Sequence, residues 1–237
     1  MPTIPFTAYD FFAYLSAGFV VIGTGAFAYR GTAVADAEIG LVEGATWIVV
    51  AYVLGHVISA VSTPLLERRF AEERLGERQA LLFAREKKTG SEPSDERPTQ
   101  RIFRAYFSPL PPDIQRLVLD RAKDEVEIST VGKGLFLYCD AKERQNPYAA
   151  PVLAIFLNIY GFARNACFAS AVGSLLLLLG ALKYEADRDL KALLAVGAIV
   201  AAAGLLYRYL KFFRLYAREV FLFYASEKST RTQSRTD

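Results

Sequence analysis

The chain has 237 residues, 53% of them hydrophobic and 22% charged, with 28 Lys+Arg, 25 Asp+Glu and one histidine. A formal net charge of +3 is too small to hold nucleic acid by neutralising phosphates, and no zinc-knuckle, RNP or helix-turn-helix pattern accompanies it. One histidine and two distant cysteines, Cys139 and Cys167, supply neither a zinc ligand set nor a disulfide framework, so both cysteines are read as reduced thiols used for packing.

Four apolar runs lie near residues 11–29, 44–65, 165–182 and 190–207. Each approaches the roughly 20 helical residues needed to cross a bilayer's hydrocarbon core, so four transmembrane helices are expected. After the first run, Ala26-Phe27-Ala28 imitates a signal-peptidase site, but residues 1–10 hold no Lys or Arg and end in Asp10, which favours an uncleaved helix. The connection 30–43 sets Arg30 against Asp36, Glu38 and Glu43, an acidic character that suits the outside. Asp10 is expected to pair with Arg68 or Arg69 at the inner border.

The second run carries His56 on a polar stripe, Tyr52, His56, Ser59 and Thr63, whose spacings of four, three and four place them on one helical face. In lipid such a face turns inward. Ser16 on the first run and Ser170 or Ser174 on the third are the expected partners in the same layer, either as interhelical hydrogen bonds or as the wall of a pathway. No acid stands near His56 in its run, so a Ser-His-Asp arrangement is excluded.

Residues 66–149 form a charge-dense insert carrying 16 of the 28 Lys+Arg and 15 of the 25 Asp+Glu, a nearly neutral balance that reads as a folded, mainly helical, cytosolic module. The stripe Phe70, Leu75, Leu82 predicts that the second run continues as helix, weakened at Gly76. Residues 87–100 are polar and rich in Gly, Ser and Pro, the pattern of a mobile loop. Ile102, Phe103, Tyr106 and Phe107 then suit a short amphipathic segment. Ser108-Pro-Leu-Pro-Pro112-Asp113 opens a helix along Ile114, Leu117, Val118, Ala122 and Val126. Ile128 to Tyr138 fits a short strand pair or more helix; Gly132-Lys133-Gly134 lacks P-loop spacing and reads as a turn.

The last two runs belong to a long helical hairpin, 150–224, that extends beyond the membrane at both ends, followed by a disordered tail, 225–237. Arg164 and Arg208 lie 22 residues on either side of a turn centred at Ala186, so both mark the inner membrane border, with their heads snorkelling to phosphates. Beyond it, Arg208, Lys211, Arg214 and Arg218 share one helical arc, opposite Tyr209, Phe213, Tyr216, Val220, Phe223 and Tyr224. The basic strip suits anionic lipid headgroups or an acidic partner. From Arg208 onward seven Lys+Arg face three acids, so the tail, the insert and the N-terminus are all expected in the cytosol. Small residues Ala166, Ser170 and Ser174, with Gly197, Ala201 and Gly204, permit close helix packing within the chain or between copies.

Asp10-Phe-Phe-Ala-Tyr-Leu15, Gly55-His56-Val-Ile-Ser59 and Tyr160-Gly-Phe-Ala-Arg164-Asn165 together resemble a group of uncharacterised bacterial four-pass inner-membrane proteins. The resemblance covers both hairpins and implies that fold and that membrane, without an activity. Arg164-Asn165 also matches the opening of the HEPN nuclease motif, but Ala169 stands where that motif needs histidine.

The expectation is an all-α membrane protein: a first transmembrane hairpin (1–65), the cytosolic insert (66–149) and the second hairpin (150–224), without cofactor, metal or enzymatic activity. Its expected role is a homo-oligomeric, channel-like or membrane-perturbing effector gated by the cytosolic module. The alternative is a membrane-anchored scaffold or sensor that recruits a soluble partner; a part in bacterial defence fits either.

Overall fold

A computed structural model describes residues 8–34, 40–76, 78–83, 104–128 and 130–233, and every regular element among them is helical. In chain order these are α1 (Ala8–Arg30), a 3-10 turn (Gly31–Val34), α2 (Leu41–Ser62) with a π-helical continuation (Thr63–Leu75), α3 (Arg78–Leu82), and a second 3-10 turn (Arg104–Phe107). Then follow α4 (Pro112–Val126), α5 (Lys133–Glu143), α6 (Ala149–Lys183) and α7 (Arg188–Gln233). The loop 87–100, Ile102 and Phe103 fall outside the described residues, as does the side chain of Asp10. Three helical stretches are long and apolar enough to cross a membrane: Leu41–Leu75, Ala149–Lys183 and Arg188–Ser226.

The chain divides into two compact units. The first comprises Met1–Arg68 with Asn158–Tyr209, the second Arg69–Leu157 with Leu210–Asp237.

In the first unit α1 packs against α2 at backbone distance. A Cβ on Gly18 would overlap the carbonyl of Ala51, and one on Gly55 would overlap that of Tyr14, so each helix offers a glycine where the other's backbone crosses. The same device seats α1 on α6: a Cβ on Gly173 would lie 2.9 Å from Thr24 Oγ1, and one on Gly180 would lie 2.5 Å from the carbonyl oxygen of Ala28. Between apolar helices this close approach supplies van der Waals contact along the crossing. Small apolar clusters fill the seams, Ala17 with Ile58 and Ala169, and Ala28 with Leu177 and Ala195. Half of the apolar stretch of α6 is buried, against 22% for α2 and 17% for α7, which makes α6 the central helix of the unit. Val49, Val53 and Val57 on α2 and Leu193, Val196 and Val200 on α7 are instead exposed. At the far end of α6, Asp187 accepts hydrogen bonds from the Thr32 backbone N–H (2.8 Å) and Oγ1 (3.1 Å). Gly31, at φ +62°, makes the turn that presents Thr32.

In the second unit the helical continuation of α2 stops at Gly76, whose φ of +100° is open to glycine. Tyr106 Oη donates to the Gly76 carbonyl (3.3 Å), and the Leu110 N–H donates to Leu82 (2.8 Å), which draws the segment before α4 onto α3. Pro112 lies in the first turn of α4, where a missing N–H costs nothing, and Val118 and Ala122 are buried. Ile128 to Tyr138 is not a strand pair: α5 begins at Lys133, after the extended Gly132. On α7 the aromatic face is buried through Phe213, Tyr216, Val220, Phe221 and Tyr224, with Phe221 edge-on to Phe83 (5.0 Å) and Phe136 (5.9 Å). The helix continues to Gln233, past residue 225, where a disordered tail is expected.

The glycines give a direct test. Gly18→Val or Gly55→Val drives a side chain into the facing backbone, and overpacking of this kind costs about 1–3 kcal/mol or more. The unfolding temperature of the full chain in detergent should therefore fall for both, whereas Gly197→Ala and Gly204→Ala, where a Cβ meets nothing of this chain within 4 Å and alanine adds helix propensity, should not lower it.

Candidate functional site

The polar stripe of α2 separates into two parts. At its upper part His56 makes aromatic contacts: its ring stacks on Tyr14 of α1 (4.1 Å, 22°) and meets Tyr52 edge-on (4.6 Å, 86°), while Tyr52 in turn tilts against Phe11 (5.1 Å). The hydroxyls of Ser16 and Ser174 bond to backbone carbonyls instead of to His56. Ser16 Oγ donates to Ala13 within its own helix (3.2 Å), and Ser174 Oγ donates to the Ala195 carbonyl (2.9 Å), joining α6 to α7.

One turn further on, the stripe enters a charged knot. Pro64 has no N–H to give and its ring crowds the preceding turn, and beside it the helix widens to i→i+5 geometry over Thr63–Leu75. The Ser59 carbonyl there collects donors from the Thr63 N–H, Thr63 Oγ1 (2.8 Å) and Ser62 Oγ (3.2 Å). From α6, Arg164 Nη1 donates to Glu67 Oε2 at 3.0 Å and Nη2 to Ser59 Oγ at 3.4 Å. Buried Asn165 accepts from Ser62 Oγ (3.0 Å) and from Arg164 Nε (3.4 Å). The Arg164 side chain is only 12% exposed, so it does not snorkel free as an isolated border arginine; its charge is answered within the unit by Glu67. Ser59 and Thr63 are thus joined to Arg164, while Tyr52 and His56 form a separate aromatic ladder.

The small-residue sets divide in a similar way. Ser170 and Ser174 are buried and Ala166 partly so, whereas Ala201 is exposed and Gly197 and Gly204 face open space. The seams run instead through Gly18, Gly55, Gly173 and Gly180. On α7, Arg208 and Lys211 are exposed and Arg218 partly so, but Arg214 is buried. Burial, and next the neighbouring Arg218, lower the pKa of Arg214.

The second unit holds another ionic cluster, centred on Glu125 of α4. Its carboxylate accepts from Arg121 Nε (2.9 Å), Lys142 Nζ (2.7 Å), Tyr138 Oη (2.9 Å) and Tyr224 Oη (2.9 Å), which ties α4, α5 and α7 together. Arg121 also donates to the Tyr224 carbonyl and lies over the Tyr224 ring at 4.3 Å. Burial pushes the carboxyl of Glu125 upward, but the hydrogen bonds from Lys142, Arg121, Tyr224 and Tyr138 outweigh it and hold the group down at about 2. Burial and the same carboxylate raise Tyr224. Beside the cluster, burial and next Glu143 push the Cys139 thiol up to about 12, which removes its nucleophilic form. Arg144 joins Asp140 (2.9 Å) and Tyr216 (2.8 Å), and Tyr216 Oη donates to Asp140. Glu67, Ser62 and the Glu125 partners escape a reading of the chain for polar stripes. The Arg121/Glu125 spacing of four was a local signal for one of these pairs.

No group of three or more His, Cys, Asp or Glu among the described residues is arranged to hold a metal ion. The chain matches no family model, and no curated protein or solved structure is similar to it.

Two substitutions probe these clusters. Removing one partner of a mostly buried ion pair leaves the other uncompensated, so Arg164→Leu and Glu67→Leu should each cost about 2–3 kcal/mol. The double replacement should recover part of that loss in a double-mutant cycle read by unfolding in detergent. For Glu125 the folded pKa lies below the ordinary 4.5, so its contribution to stability is present above pH 4.5 and is lost as pH falls toward about 2. Glu125→Gln should lower the melting temperature at neutral pH and flatten its decline across that acid range.

Proposed function

We propose that the chain is a four-pass helical protein of a bacterial inner membrane, with α1 and α2 as one hairpin and α6 and α7 as a second, longer one. Both termini and the second unit lie in the cytosol. In this reading it acts as a homo-oligomeric, channel-like or membrane-perturbing effector that the cytosolic unit gates. The observation that carries the reading is the Arg164–Glu67 knot beside the widened turn of α2, with the His56 ladder one turn above. Charges and polar groups at such a depth are costly, and in membrane proteins they concentrate along ion or substrate pathways. Wide helical turns are likewise frequent at functional positions. The open Gly197, Ala201 and Gly204 stripe supports contact with a second copy, because close helix approach suits small residues. The short acidic connection and the basic tail support the orientation, and exposed Arg208 and Lys211 support contact with anionic headgroups.

The second reading, a membrane-anchored scaffold or sensor, is favoured by an apolar groove of about 460 Å3 lined by Ile114, Leu117, Leu222 and Phe223 in the second unit. The two readings part at His56. Reconstituted in planar bilayers, the full chain is expected to raise ion conductance, and His56→Ala and Glu67→Gln are expected to change its open probability or selectivity. A silent bilayer at every voltage, pH and lipid composition, with a soluble protein co-purifying regardless of His56→Ala, selects the scaffold.

A further inference from the structure

Arg214 is the one residue of the basic arc that the fold buries. It is 8% exposed, its Nε is sealed from solvent without a hydrogen-bond partner, and no carboxylate among the described residues pairs with it. Every other buried cation described above has an answer: Arg164 has Glu67, and Arg121 has Glu125. Leaving a guanidinium buried and unpaired is among the most unfavourable arrangements a fold can retain, and an anion that binds from outside relieves it. The neighbouring positive charge deepens the demand. Arg218, one turn on and on the same face, has only a distant contact with Glu219, at 3.9 Å. Lys211, one turn back, is exposed.

We propose that Arg214 and Arg218 form a seat for a phosphomonoester, supplied by an anionic lipid headgroup. A phosphomonoester carries nearly two negative charges and three acceptor oxygens, which match two guanidinium forks better than the single charge of a phosphodiester does. The lipid source follows from position along α7. Arg214 stands six residues beyond Arg208, about 9 Å of helical rise, and side chains on a helix tilt toward its N-terminus, here back toward the apolar stretch. That reach returns the guanidinium to the headgroup layer, roughly 5–8 Å deep beyond the hydrocarbon. The inference rests on the membrane placement in the proposed function and adds to it a single, chemically selective lipid site within an otherwise diffuse basic strip.

The test uses the full-length protein in mixed micelles, with retained lipid counted by native mass spectrometry. Phosphatidic acid supplies the monoester, and phosphatidylglycerol the diester. Wild type is expected to retain phosphatidic acid about tenfold over phosphatidylglycerol, the difference that one charge-assisted bidentate contact supplies. Arg214→Met and Arg218→Gln should each abolish the preference while leaving phosphatidylglycerol retention unchanged. Because Arg214→Met also removes a buried unpaired charge, its melting temperature should rise, which separates loss of the seat from loss of the fold. A molar excess of inorganic phosphate should neither displace phosphatidic acid nor stabilise the protein. If inorganic phosphate does both, the seat is for a soluble phosphate and the lipid assignment is overturned. Equal retention of the two lipids, or a preference that survives in Arg214→Met, overturns the seat itself. A wild type that conducts no ions yet keeps the preference defeats only the channel reading.

Discussion

A guanidinium placed among apolar helices has to be neutralised by something within the reach of one side chain, and Arg164 meets that requirement through Glu67. The pairing constrains more than two residues. To present Glu67 and Ser59 to α6 together, α2 must continue as helix past Pro64, although proline withdraws a donor there. Thr63 and Ser62 take over by turning their hydroxyls to the Ser59 carbonyl, and the helix widens. The single Ser62 hydroxyl proton is shared between that carbonyl and Asn165 Oδ1, so the same turn that absorbs the proline anchors α6 a second time. The packing of α1 against both helices, through Gly18, Gly55, Gly173 and Gly180, then has a fixed pair of backbones to approach.

The second unit answers the same requirement with a different composition. Glu125 takes four donors, two of them cationic and two phenolic, so one carboxylate holds three helices. Arg121 and Tyr224 meet it from the buried side, whereas Glu125 itself and Lys142 are partly exposed, so water weakens the Lys142 bond more than the other two. Against these two clusters Arg214 differs: among the described residues no carboxylate pairs with its buried guanidinium, whereas buried Arg164 and Arg121 each have one.

Much of the helix pattern was legible from local signals. The start of α4 at Pro112 and its buried Val118 and Ala122 depend on residues within one or two turns, where spacing and backbone freedom decide the outcome, whereas Gly76, expected only to weaken a helix running on to Leu82, ends it at a positive φ. Ile128 to Tyr138 was ambiguous because its β-branched and glycine residues satisfy both periods; its second half, from Lys133, is helix, with Leu135, Phe136 and Cys139 packed into the unit. The partners were not legible. Arg164 and Glu67 are separated by 97 positions, and nothing local to either selects the other. The same holds for small residues. Spacing defines a face, but only the tertiary arrangement shows that the α7 stripe faces open space while Gly18 and Gly55 take the crossing.

The exposed apolar surface completes the physical account. In water, valines and leucines exposed to the extent of Val49 (61%), Leu193 (67%) and Val200 (67%) would leave most of their transfer free energy unrealised, and α2 and α7 display such residues along much of their length. An apolar surrounding such as lipid would remove that cost without burying anything inside the chain, and α6, half of whose apolar stretch is buried, relies more than α2 or α7 on the protein itself. The helices α6 and α7 each contribute to both units without a break. The contacts of α4 and α5 fall on α7, whose backbone is unbroken from there into the apolar stretch, so a rotation imposed on that part has a continuous helix to follow. If the proposed gate operates, the Arg164–Glu67 pair is where such a rotation must be either absorbed or transmitted, because it is the charged contact that ties α6 to α2.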